Sequence, residues 1–209
     1  MSAPPDIEFW FDFGSNYSYL ATMRIEEAAA RAGVPVRWKP FLLGPIFRSL
    51  GWETSPFVLQ KAKGEYMWKD MVRECRKFGV PWLRPTRFPR AAVLPLRVAL
   101  VGAGQPWIGD YCRRVMSLNF AEDRDIDVPE VVEEVLTRLG LPAREIVDAA
   151  RSEANKLALR AQTEEAAARG IFGAPTFFVG DEMFWGNDRL DDALAFAKEP
   201  RGLGVRSTT

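Results

Sequence analysis

The run Asp6-Ile-Glu-Phe-Trp-Phe-Asp-Phe13 alternates Ile7, Phe9, Phe11 and Phe13 with Asp6, Glu8, Trp10 and Asp12. That period of two is the pattern of a β-strand, and it is the clearest strand in the chain. Gly14-Ser15-Asn16 breaks it. From Tyr17 to Ala32, Leu20, Met23, Ile25, Ala28 and Ala32 follow helical spacing, and Gly33 stops the helix. A second strand is expected at about Val34 to Phe41. Strand, helix and strand in so short a span imply parallel pairing through a right-handed crossover. Ser15 is thereby placed beyond a strand's C-terminal end, at the mouth of a helix.

The middle of the chain differs in kind. Helical patterns succeed one another at about Phe57 to Phe78, Ala91 to Val101, Ile108 to Phe120, Pro129 to Leu139 and Ala143 to Arg169. The strand signal returns at Pro175-Thr-Phe-Phe-Val179, turns at Gly180-Asp181 and continues in Met183-Phe184-Trp185 as a hairpin. Gly186-Asn187-Asp188 then opens a last helix, Arg189 to Lys198. This order predicts an α/β protein: a thioredoxin-like four-stranded sheet interrupted by a large all-helical insertion. Residues 1–56 and 152–209 would form the discontinuous thioredoxin-like domain, and residues 57–151 the inserted helical domain.

Composition narrows the chemistry. The 209 residues contain no histidine, which excludes Ser-His, Cys-His and His-metal mechanisms, and no metal site is expected. Twenty-eight basic against twenty-eight acidic side chains leave no basic field for phosphates, so nucleic acid is not an expected partner. Cys75 and Cys112 match neither a C-x-x-C pair nor a disulfide framework, and packed thiols in a reducing compartment fit them best. With no signal-peptide pattern and no apolar stretch of spanning length, a soluble cytoplasmic protein is expected, with no membrane contact.

Three segments can carry chemistry. Ser15 offers a hydroxyl in the partly positive field of a helix start. With no histidine to activate it, its remaining role is donation, for example to the thiolate of a bound thiol, so that the nucleophile would belong to a cofactor. Simple N-capping by Ser15 or Asn16 is the competing reading. Phe172-Gly-Ala-Pro-Thr176 places Pro175 at a strand start, where a cis bond is tolerated and Ala174 can pair its backbone with an extended peptide; an ordinary loop is the alternative. Trp185, Gly186, Asn187 and Asp188 open a helix with free N–H groups for a carboxylate, and Asp188 could pair an ammonium, although capping alone also explains them. The thioredoxin-like order brings all three to neighbouring strand ends.

The segments FDFGSNYSYLA, PFLLGPIF, KGEYMWKDM and FGAPTFFVGDEMFWGNDRL together resemble the 2-hydroxychromene-2-carboxylate isomerases, within the DsbA-like group that includes kappa-class glutathione transferases. The resemblance covers nearly the whole chain, and the last segment is its most specific part. It implies a glutathione-dependent isomerase of aromatic catabolism, acting on a small aromatic carboxylate and assembled as a homodimer. Carried over by motif, Ser15 would hydrogen-bond the glutathione thiolate, Ala174 beside Pro175 would contact the cysteinyl unit, and Trp185, Gly186, Asn187 and Asp188 would line the remainder.

Three departures stand out: Asn16 replaces the family's usual proline, and Glu53 and Val58 stand where relatives tend to have asparagine. A carboxylate at Glu53 would repel anionic ligands unless it faced Lys61, Lys63 or Arg48. Phe47 and Phe88, among several aromatics, could wall a substrate pocket, and Lys63 or one of Arg84 and Arg87 could receive a carboxylate; a packed core and a solvated face are the respective alternatives. A kappa-like transferase or peroxidase, or a non-catalytic thiol or peptide binder, would use the same site. A disulfide oxidoreductase is disfavoured, because Ser15 and Ser18 stand where that chemistry needs cysteines.

Overall fold

Alternation in the first strand decides how the sheet is buried. The computed structural model describes residues 5–199. Its elements are β1 (Ile7–Phe11), α1 (Asn16–Ala32), β2 (Val36–Pro40), α2 (Leu43–Ser49), α3 (Pro56–Leu59), α4 (Lys61–Phe78) and α5 (Val93–Val101), then α6 (Ile108–Phe120), α7 (Pro129–Arg138), α8 (Ala143–Arg151) and α9 (Glu153–Ala168). β3 (Thr176–Val179), β4 (Glu182–Trp185), a 3-10 turn (Asn187–Arg189) and α10 (Leu190–Lys198) complete the chain. The sheet order is β2-β1-β3-β4, with β1 parallel to β2 and both other pairs antiparallel. This is the thioredoxin-like arrangement expected from the order of the elements.

Register places Phe9 opposite both Trp38 and Phe177. Their rings meet at centroid distances of 5.3 Å and 5.5 Å, so one aromatic rung ties β2, β1 and β3. Ile7, Phe9, Phe11, Phe177 and Val179 share a continuous core with residues of α1, α6, α7, α8 and α10, among them Leu20, Phe120, Leu136, Val147 and Leu194. The other face is also covered. Trp10 and Phe178 pack with Phe41, Ile46, Ala166 and Ile171, beneath α2 and α9. Trp10, placed by its alternation among the polar positions, is therefore fully buried. Helices cover this face of the sheet as well, so of the even positions of β1 only Glu8 keeps partial exposure.

Two expected helices are each broken in two. The segment from Phe57 divides at Gln60, because α3 folds back on the first turn of α4: a Cβ at Gly64 would stand 2.2 Å from the Phe57 carbonyl oxygen. The segment from Ala143 divides at Ser152, whose Oγ donates to the Ala149 carbonyl (2.7 Å) and accepts from the Asn155 N–H (3.2 Å), ending α8 and capping α9. α2 was not expected, since Gly44 and Pro45 are weak helix formers; its first N–H, at Leu43, is satisfied by the Asp12 carboxylate at 2.8 Å. The last helix begins at Leu190, one residue later than expected, after the 3-10 turn. Among the described residues no helix is long and apolar enough to cross a membrane, and no cluster of metal-ligating side chains occurs.

Candidate functional site

The end of β1, the start of α1 and the loop before β3 meet at one point. Ser15 caps α1 in an extended conformation (φ −90°, ψ 117°), and its Oγ accepts from the Ser18 N–H at 3.2 Å. The same Oγ donates to the Ala174 carbonyl at 2.8 Å, joining two positions that sequence reading had brought together only through strand order. The Ala174-Pro175 bond is cis. Pro175 turns its carbonyl away, to accept from the Gly186 N–H at 3.0 Å. The Ala174 N–H has no hydrogen-bond partner among the described residues, nor do the N–H groups of Asn16 and Tyr17. Free donors and one movable hydroxyl thus converge at a helix N-terminus, where negative charge is favoured.

The turn beneath Ser15 is built to hold it there. Asp12 accepts from the N–H groups of Gly14 (2.7 Å) and Leu43 (2.8 Å), while its burial pushes its carboxyl above the usual range. Gly14 admits no side chain: a Cβ there would lie 2.9 Å from the Arg90 carbonyl oxygen and 3.6 Å from Pro89 Cβ. The buried guanidinium of Arg90 donates to Asn119 Oδ1 at 2.9 Å, and the Asn119 amide donates to the Phe13 carbonyl at 2.9 Å. Sequence reading missed Asp12, Gly14, Arg90 and Asn119. The glycine between Asp12 and Ser15 was the only available signal, and it was read simply as a strand break.

Trp185 is half exposed and packs edge-on against Phe172 at 4.7 Å. Its indole covers Gly173, where a Cβ would meet Nε1 at 2.5 Å. Gly186 adopts φ +112°, backbone that favours glycine. Asn187 is buried, and its Oδ1 accepts from Arg24 of α1 at 2.9 Å, so its side chain points into the protein. Asp188 is exposed and pairs with Arg189 at 3.0 Å.

Asn16 keeps α1 starting directly after Ser15; its side chain is buried and its Nδ2 has no hydrogen-bond partner among the described residues. Tyr17 donates to Asp70 at 2.8 Å and packs its ring 6.0 Å from Phe57, which holds α3 and α4 over the start of α1. Lys63 is exposed, with its ammonium 5.7 Å from the Phe57 ring. Phe88 meets Trp68 edge-on at 4.8 Å and precedes Pro89, the residue against Gly14. Phe47 is buried under Trp52 at 5.8 Å. Glu53 and Val58 are exposed, and Glu53 makes no ion pair with Lys61, Lys63 or Arg48. Cys75 and Cys112 are buried free thiols within the large core cluster.

Residues 6–196 match the DSBA-like thioredoxin domain. A 2-hydroxychromene-2-carboxylate isomerase of Sphingobium xenophagum is 31% identical over 191 residues, spanning 88% of this chain and 94% of the relative. Glutathione S-transferase kappa 2 of Caenorhabditis elegans is 26% identical over 208 residues, 93% of this chain and 92% of the relative. A solved 2-hydroxychromene-2-carboxylate isomerase superposes with a TM-score of 0.80 at 28% identity, covering 88% of this chain and 90% of that one.

Proposed function

The chain belongs to the DSBA-like thioredoxin family and, within it, to the 2-hydroxychromene-2-carboxylate isomerases, and from that premise we propose that it is a glutathione-dependent isomerase of an aromatic carboxylate. The observation that carries this reading is the Ser15 hydroxyl 2.8 Å from the Ala174 carbonyl, beside an Ala174 N–H that lacks a partner among the described residues. An extended tripeptide fits such an edge, because the Ala174 carbonyl and N–H, in the bend just before β3, can take and give the hydrogen bonds of a cysteinyl unit. When bound, glutathione would supply a thiolate that could add to the conjugated substrate and be expelled again, the chemistry by which 2-hydroxychromene-2-carboxylate would become its isomer trans-o-hydroxybenzylidenepyruvate.

The chain's own residues do the rest. Ser15 Oγ exchanges its neutral acceptor, the Ala174 carbonyl, for the sulfur; a charge-assisted hydrogen bond is about twice as strong as a neutral one, so the exchange is favourable. The free N–H groups of Asn16 and Tyr17 add the field of α1, which favours thiolate over thiol. Ala174 and Pro175 hold the cysteinyl unit, and the main chain from Trp185 to Asp188 lines the ends of the tripeptide. The Asn187 side chain acts indirectly, anchoring that segment to Arg24. Phe57, Trp68 and Phe88 wall the aromatic ring, and the covered turn at Gly14 excludes water from below. Phe47 supports Trp52 from behind. The same reading takes the protein as a cytoplasmic homodimer.

The test is conversion of 2-hydroxychromene-2-carboxylate followed by absorbance. Turnover should require glutathione, and Ser15→Ala should lower kcat/KM at least ~30-fold, equivalent to about 2 kcal/mol for a lost charge-assisted hydrogen bond. Isomerisation without any thiol, or wild-type rates in Ser15→Ala, would contradict the proposal. Conjugation of an electrophile is the second reading, favoured by the kappa-class relative, and would appear as glutathione consumption in place of isomerisation.

A further inference from the structure

The loop between α4 and α5 carries three arginines in different circumstances. Arg87 pairs with Asp125 at 3.8 Å, and Arg90 is buried against Asp123 and Asn119. Arg84 is exposed and has no ion pair or side-chain hydrogen bond among the described residues. Its guanidinium lies 4.7 Å from the Trp68 ring centroid. Trp68 in turn meets Phe88 at 4.8 Å and Trp82 at 6.1 Å. Phe88 precedes Pro89, whose Cβ is 3.6 Å from the position a Cβ would take on Gly14, the residue before Ser15. A continuous run of contacts therefore leads from an uncompensated cation, across an aromatic cluster, to the reactive turn.

Resting on the isomerase reading above, we infer that Arg84 is the carboxylate receptor of the site and sets its preference for anionic aromatic substrates. Contact with the Trp68 ring restricts where the guanidinium can sit, and a restricted fork loses less freedom on binding a carboxylate in two hydrogen bonds. Lys63, the other exposed candidate, holds its ammonium 5.7 Å from the Phe57 ring, which packs on Tyr17 and not on the Trp68–Phe88 pair. An ammonium on a flexible stem recognises a charge without fixing the ring, whereas Arg84 and the Trp68–Phe88 pair offer a charge and an aromatic wall together.

The experiment titrates cinnamate and its neutral amide, cinnamamide, into wild type, Arg84→Gln and Lys63→Gln, followed by tryptophan fluorescence. Wild type should bind cinnamate at least ~10-fold more tightly than cinnamamide, Arg84→Gln should abolish that preference while leaving cinnamamide binding unchanged, and Lys63→Gln should retain it. Equal affinities in wild type, a preference that survives Arg84→Gln, or one lost only in Lys63→Gln would overturn the inference. Weaker binding of both ligands in Arg84→Gln would also overturn it, since Arg84 would then be packing for Trp68. Because this readout needs neither glutathione nor turnover, a cinnamate preference that depends on Arg84 in a protein without isomerase activity would sustain the receptor and reject the isomerase reading.

Discussion

At the scale of single residues, Ser15 is informative because its hydroxyl has two partners already, the Ser18 N–H and the Ala174 carbonyl. Only the second must be released for Ser15 to donate elsewhere, so the residue can cap α1 and serve a ligand at once; the two readings open at the sequence level are compatible. Its position was legible because a strand break before a helix is a local pattern. The inward turn of Asn187 was not, since an amide's direction is decided by Arg24, far away in sequence. The cysteines were read correctly as packed: burial pushes the Cys75 thiol up to about 12 and the Cys112 thiol well above its ordinary value. Neither should react with iodoacetamide in native protein at pH 8, and both should react after denaturation. Rapid labelling of either in the native state would contradict this burial.

At the scale of elements, the segment carrying Phe88 and Pro89 is held by Asp123. Its carboxylate accepts the Thr86 N–H at 2.9 Å and pairs with Arg90, and these contacts hold its carboxyl below the ordinary 3.8, the backbone bond from Thr86 contributing most. A depressed folded-state value means that this tie is fully present above pH 3.8 and is lost as the pH falls through the lower folded-state value. In hydrogen exchange at pH 7, Asp123→Asn should accelerate the amides around Thr86 while sparing β1 and β3; equal protection in mutant and wild type would show that Asp123 does not hold the segment. No periodicity reveals such a tie, because it links two irregular segments. Ser152 shows the same limit: one side chain divides what helical spacing presents as a single helix.

At the scale of the molecule, the four-stranded thioredoxin-like sheet and the parallel pairing of β1 with β2 were legible because they follow from the order of the elements and the connection between the first two strands. How the helices share their burial was not. Phe120 of α6 stacks on Tyr19 of α1 at 5.4 Å and on Trp82 at 6.0 Å, within the core that also holds Phe9 and Phe177. Sheet and helical block should therefore unfold together. Urea denaturation should give coincident far-UV and fluorescence transitions, with Phe120→Ala lowering stability by about 3–5 kcal/mol; separate transitions would mean two independent units. The proposed function requires that Ser15 and Ala174 meet a borrowed thiol. Calorimetric titration of reduced glutathione into wild type and Ser15→Ala at neutral pH tests it most directly. One tripeptide should bind per chain, and more weakly in the mutant; no binding to wild type at millimolar ligand, or equal binding to both proteins, would contradict the proposed function.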